Sequence, residues 1–114
     1  MKTTSTNAGI LPSRQAVVYA GDYLNKLAGE QIERECRIRL QEGCDELVVN
    51  FSQTELVNSI GISILLGIID SASNQGAKVV FSDVKQETVE LFDLLGVTKH
   101  ADVEIKDRLQ QRLW

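Results

Sequence analysis

Through its middle the chain reads Leu47-Val48-Val49-Asn50-Phe51-Ser52-Gln53-Thr54-Glu55-Leu56-Val57-Asn58-Ser59-Ile60-Gly61-Ile62-Ser63-Ile64-Leu65-Leu66-Gly67, and this stretch decides the fold. Leu47 to Phe51 is dense in β-branched and aromatic side chains, the composition of a buried strand. Ser52 to Val57 reads as a loop. Asn58 then offers a side chain that accepts from an orphan backbone amide, which is the chemistry of a helix N-cap. From Ser59 the residues are apolar nearly all round, and the helix they predict runs to Asn74, closed by Gln75-Gly76. Such a helix is expected to be the most buried of the chain, with its N-terminal end left to reach solvent. Ser59 falls in that first turn. Ser63, one turn further in, is expected to be more buried.

Working outward toward the N-terminus, Ala28, Ile32, Cys36 and Leu40 recur every four residues, with Glu30, Glu33, Arg34 and Arg37 on the opposite face. That pattern predicts an amphipathic helix from Lys26 to Glu42, with Gly43 in the position of a C-cap glycine. Ala16 to Ala20 is a short strand candidate, interrupted by Gly21-Asp22. Pro12-Ser13-Arg14 reads as a turn, and residues 1–8 as a tail or weak edge strand. Toward the C-terminus, Lys78 to Ser82 predicts a strand centred on Val79, Val80 and Phe81. A helix from Lys85 to Leu95 follows, with Val89, Phe92 and Leu95 on one face. Gly96 ends it, and Val97 packs back over the cap. Val103 to Ile105 reads as a last short strand and Lys106 to Leu113 as a short terminal helix.

Strands that alternate with helices predict a parallel or mostly parallel sheet. The 114 residues suit one domain, 1–114, long enough to bury a core without metals or disulfides. Aromatics make up only 5% of the chain, so Leu, Ile and Val carry the packing.

The formal net charge of −4 argues against a general nucleic-acid binder, which needs a basic face for phosphates. The two cysteines, Cys36 and Cys44, form neither a CxxC pair nor a metal spacing, and His100 is the single histidine, so no zinc set is expected. Two reduced thiols in a reducing compartment are expected. The longest apolar stretch, Ile60 to Ile69, is interrupted by Gly61, Ser63 and Gly67 and is too short to span a bilayer. A cytoplasmic protein without membrane insertion is the expectation.

Catalytic chemistry finds little support. His100 is the one candidate base, and nothing in the sequence ties it to Ser59 or Cys36. No glycine-rich phosphate loop is present. Glu30, Glu33 and Glu35 suit a solvated helix face. The strand from Leu47 to Phe51 carries Asn50 and leads to Ser52, where a metal-assisted phosphoaspartate site would want acidic residues. No cofactor, metal or catalytic residue is expected. From spacing alone, Asn58 and Ser59 also suit a plain cap on a buried helix.

The stretch from Leu47 to Gly67 resembles the core of the STAS family, in which an apolar strand and a short loop lead into a D-S-S-G or D-S-T-G motif at the start of an apolar helix. The corresponding residues are Asn58-Ser59-Ile60-Gly61. Gly21 through Asn25 is similar to the family's G-x-L-D turn with one extra residue. Gly76-Ala77-Lys78-Val79 resembles its G-x-x-L/V strand entry, and Leu94-Leu95-Gly96-Val97 its L-x-G-L/V helix end. The resemblance covers nearly the whole chain and rests on the order and spacing of these motifs together.

It implies an α/β fold, a single STAS-like domain with a small mixed, mostly parallel sheet and helices mainly on one face. Most similar are the anti-sigma factor antagonists, whose implied role is partner switching. The unphosphorylated protein binds an anti-sigma factor that is also a serine kinase and frees a sigma factor. Phosphorylation at the helix start, here Ser59, abolishes binding. The implied partner surface is Asn25, Leu56, Val57, Asn58, Ser59, Ile60, Gly61 and Ile62, and other STAS proteins are further partners. STAS-like domains also serve as non-switching subunits of sensory scaffolds or membrane-transporter complexes. The chain departs from the switch pattern in three places: Asn58 and Asn25 stand where the family has aspartate, and Ile60 where it has a second small residue.

Overall fold

The computed structural model describes residues 14–106. Four strands pair in the order β1 (Gln15–Tyr19), β3 (Glu46–Asn50), β5 (Lys78–Val84) and β6 (Asp102–Ile105). Every pairing among the described residues is parallel. The tail or edge strand expected at residues 1–8, the turn at Pro12-Ser13 and the terminal helix expected beyond Lys106 lie outside the described residues. A separate two-stranded parallel ribbon joins β2 (Tyr23–Leu24) to β4 (Leu56–Val57). Three helices complete the fold: α1 (Lys26–Gln41), α2 (Ser59–Asn74) and α3 (Gln86–Leu94). A 3-10 turn, Val97–Lys99, follows the last.

The strand register sorts the side chains. Ala16 and Val18 stand beside Leu47 and Val49, which stand beside Val79 and Phe81. With period-2 alternation all of these share one face, and all belong to, or pack against, the hydrophobic core. The three helices contribute to the same core: Ile32, Cys36 and Leu40 from α1, Ile62, Leu65, Ile68, Ile69 and Ala72 from α2, and Phe92 from α3. On the opposite face Val17 and Tyr19 are exposed. The helices therefore pack on one face of the sheet.

Phe51, Phe81 and Phe92, the three phenylalanines of the chain, meet in this core with ring centroids 5.6–5.7 Å apart. The two contacts of Phe51 are edge-on, an arrangement that sets ring edge against ring face. This cluster pins α3 to the central strands.

Helices α1 and α2 end in the same way. The N–H groups of Gly43 and Cys44 donate to the carbonyls of Leu40 and Arg39, and those of Gly76 and Ala77 to Ser73 and Ala72. Both glycines have positive φ, +95° and +74°. This is the closing pattern in which a left-handed residue satisfies the orphan carbonyls of the last turn. Asp83 is the one described non-glycine residue with positive φ, 56°. It sits where the β5–β6 register shifts, so β5 resumes pairing at Val84 and runs two residues past its expected end at Ser82.

Candidate functional site

Two helix starts lie side by side. Asn25 caps α1, its side-chain oxygen accepting from the Ala28 amide at 2.9 Å. Asn58 caps α2 in the same way, accepting from the Gly61 amide at 2.9 Å. The β2–β4 ribbon joins them, pairing Tyr23 with Leu56 and Leu24 with Val57. The Asn58 amide then donates to the Leu24 carbonyl at 2.9 Å. Within Ser52 to Val57, expected as a loop, β4 forms because residues some thirty positions apart pair.

The helices cross closely at glycines. A β-carbon on Gly61 would lie 2.7 Å from the Leu24 carbonyl oxygen and 2.8 Å from its Cγ. A β-carbon on Gly29 would meet the Cδ1 of Ile64 at 2.9 Å. Gly61 is thus required by the approach of β2, and that approach brings the two caps together.

Ser59 and Ile60 point outward from the first turn of α2, and Ile60 is 54% exposed. Leu56 is exposed, while Val57 packs against the core. Gly61 and Ile62 are buried. Asn25 and Asn58 are half-buried. The open surface of the expected set is therefore Leu56, Ser59 and Ile60, with Asn25 and Asn58 at its centre. Ser63 is exposed, contrary to expectation, and its hydroxyl donates to the Ser59 carbonyl at 3.0 Å. The outer face of α2 is open at this turn, and back-bonding along the helix occupies the hydroxyl.

Three further residues lie at or near these helix starts that the sequence does not single out. Tyr23 and Leu27 are exposed apolar side chains beside Asn25 in sequence. Leu27 falls out of phase with the Ala28–Leu40 stripe, a signal the periodicity does contain. Thr54 is buried, and its hydroxyl donates to the Gly21 carbonyl at 2.6 Å.

Charge is sparse at the helix starts. Neither α1 nor α2 has an acidic residue in its first turn. Glu55 and Lys85 are paired with each other, and the hydrogen bond and positive charge of Lys85 hold the Glu55 carboxyl below its ordinary range. The N-terminal amides of α1 and α2 therefore have no carboxylate within their own first turns.

The other reactive side chains stand apart. The Cys36 thiol is buried in the core, and that burial, aided by the charge of Glu35, pushes it up to about 12. Burial also raises the Cys44 thiol. Both favour the protonated, unreactive form. His100 lines an open hollow of about 360 Å³ with Ser73, Lys78, Thr98 and Lys99. Ser73 lies fourteen residues along α2 from Ser59, roughly 20 Å at helical rise, so the geometry separates Ser59 from His100. No helix among the described residues is long and apolar enough to cross a membrane.

The fold is a small parallel sheet with helices on one face and an asparagine-capped start of α2 at its surface. The STAS domain family profile matches residues 14–111, and the chain belongs to that family. Among solved structures it is similar to the STAS domain of a SulP transporter from Vibrio cholerae. That match has 22% identity and a TM-score of 0.68, covering 89% of this chain and 80% of that one. It is also similar to the anti-sigma factor antagonist SpoIIAA in its unphosphorylated form, at 13% identity and a TM-score of 0.65, covering 91% of this chain and 90% of that one. The phosphorylated form of the Bacillus protein SpoIIAA matches at 15% identity with a TM-score of 0.64, covering 92% and 96%. These likenesses show the fold. No curated protein sequence matches the chain.

Proposed function

We propose that this chain is an anti-sigma factor antagonist, a cytoplasmic binding module without catalytic activity, and that phosphorylation of Ser59 switches it off. Its partner is an anti-sigma factor that is also a serine kinase, and it docks on Leu56, Ser59 and Ile60 around the caps Asn25 and Asn58. Val57, Gly61 and Ile62 set the position of that surface from beneath. The carrying observation is the outward placement of Ser59 in the first turn of α2, at a capped helix start with no acidic neighbour in that turn.

A phosphoryl group adds roughly −1.5 to −2 charges and strong acceptor oxygens. Helix N-terminal amides and the dipole favour that charge. The domain tolerates the modification, and the partner meets charge and bulk in place of a small hydroxyl. The switch is local electrostatics at an interface.

Phosphosite mapping by intact mass and fragmentation, on the chain from its own cells at rest and under stress, tests this reading. A phosphate on Ser59 that changes with stress supports it, as does loss of partner binding in Ser59→Asp with retention in Ser59→Ala. Ser59 unmodified in every condition removes the switch. A second reading, a non-switching subunit of a scaffold or transporter complex, draws on the likeness to the transporter STAS domain and on Asn58 and Ile60 at switch positions. A gene neighbourhood of transporter subunits with no kinase-type anti-sigma factor favours it.

A further inference from the structure

Beside the β2–β4 ladder itself, four further hydrogen bonds join the segment that carries Asn25 to the segment that carries Asn58. The Glu55 and Leu56 amides both donate to the Asp22 carbonyl, at 2.8 and 3.2 Å, and the Asn58 amide to the Leu24 carbonyl at 2.9 Å. These three are backbone bonds that any non-proline residues would supply. The fourth comes from a side chain: the Thr54 hydroxyl donates to Gly21 at 2.6 Å. Thr54 is 5% exposed. Ser82 is the other buried polar residue described, and its hydroxyl has no partner.

We infer that Thr54 is a positioning residue whose hydroxyl locks the Gly21 turn to the loop before β4 and so holds the caps of α1 and α2 as one unit. The geometry transmits the lock. Gly21 adopts φ +82°, which turns the chain into β2. Leu24 at the end of β2 receives the Asn58 amide and lies against Gly61, and Asn25 follows it directly. A shift at Gly21 therefore reaches both caps. A valine at 54 would keep the shape of this buried side chain and lose the donor, so the link to the Gly21 carbonyl would be gone. The functional weight of the lock rests on the partner-switching reading, because the unit it holds is the proposed docking surface.

The test is amide hydrogen exchange by NMR on the full chain, with no partner present, comparing wild type, Thr54→Val and Thr54→Ser. Loss of one net hydrogen bond corresponds to roughly a three- to tenfold change in a local equilibrium. Thr54→Val is expected to speed exchange at Ala28, Asn58 and Gly61 by about that factor, with Val49 and Phe81 unchanged, and Thr54→Ser to restore protection. Thr54→Ala serves if the valine variant fails to fold. Equal acceleration at all five amides would mean that Thr54 only stabilises the domain, and no change at Gly61 would mean that it does not reach the α2 cap; either result overturns the inference. The measurement needs no kinase, so it stands or falls separately from phosphorylation of Ser59.

Discussion

Helices α1 and α2 are each 16 residues long, and each starts on an asparagine that accepts from the amide three residues on. Each ends on a glycine with positive φ. Between these matching ends their bodies differ. α1 carries seven charged residues, and its exposed face holds ion pairs between Glu33 and Arg37, Glu35 and Arg39, and Arg39 and Glu42. α2 carries a single charge, Asp70, in its C-terminal half. Local chemistry at the ends thus sets where a helix starts and stops, and the body decides what it shows. A charge added to α1 joins many. A charge added at the start of α2 would be the only one in that half of the helix, and the proposed switch at Ser59 rests on this contrast.

The largest effect is expected at Gly61, where β2 lies against the start of α2. Gly61→Ala forces a β-carbon onto the Leu24 backbone, and overpacking of this kind costs about 1–3 kcal/mol. In Gly29→Ala the one overly close atom is the Cδ1 at the far end of the Ile64 side chain, while Ile64 Cβ at 3.4 Å and Gly61 Cα at 3.6 Å are in ordinary contact, so its cost is expected to be smaller. Urea denaturation of both variants checks the order. Equal losses would show that the crossing is tight on both helices, and not set by the approach of β2 to α2 alone.

How far the sequence showed this arrangement differs from part to part. The bounds of α2, Ser59 to Asn74, were legible because Asn58, an apolar run and Gly76 punctuate it locally. The stripe of Ile32, Cys36 and Leu40 marked the buried face of α1 equally well. The β2–β4 ribbon was not legible: two-residue strands carry no periodicity, and their pairing depends on the path of the chain between them. Its absence from the reading hid Thr54 and made Leu56 and Val57 look equivalent, although one is exposed and the other packs on the core. The extension of β5 was hidden by Asp83, whose positive φ no local pattern announces. Ser59 stands out in the sequence only through its cap and the family resemblance together, since the cap alone suits any buried helix.

Next in size are the caps. Asn58→Ala and Asn25→Ala each remove one side-chain bond to an orphan amide, and each is expected to cost about 1 kcal/mol. The matched 2.9 Å geometry predicts similar drops in melting temperature. A loss confined to one of them would end the equivalence of the two starts.

Gly67→Ala should act in the opposite direction to Gly61→Ala within the same helix. The nearest atom to a β-carbon there is Glu33 Oε2 at 3.7 Å, an ordinary contact. Replacing a mid-helix glycine then gains about 0.5–1 kcal/mol, read as a higher urea midpoint with an unchanged slope. A loss at Gly67 would mean that the helices approach along their whole length and that Gly61 is no special point.

The smallest effect is expected from the substitution that matters most for the proposed switch. Ser59→Asp places a negative charge beside the free amides of the first turn of α2, where such charges contribute about 0.3–1 kcal/mol at low salt. The domain should therefore be slightly more stable than wild type in dilute buffer. The gain should shrink toward zero near 1 M salt, where screening acts within about 3 Å. Equilibrium unfolding at two ionic strengths measures this. A clear loss of stability in Ser59→Asp would place the effect of charge in the fold itself and break the contrast between a tolerant helix start and a charge-sensitive interface. A gain that salt removes leaves the domain intact under modification, so any binding that Ser59→Asp abolishes is lost at the surface formed by Leu56, Ser59 and Ile60.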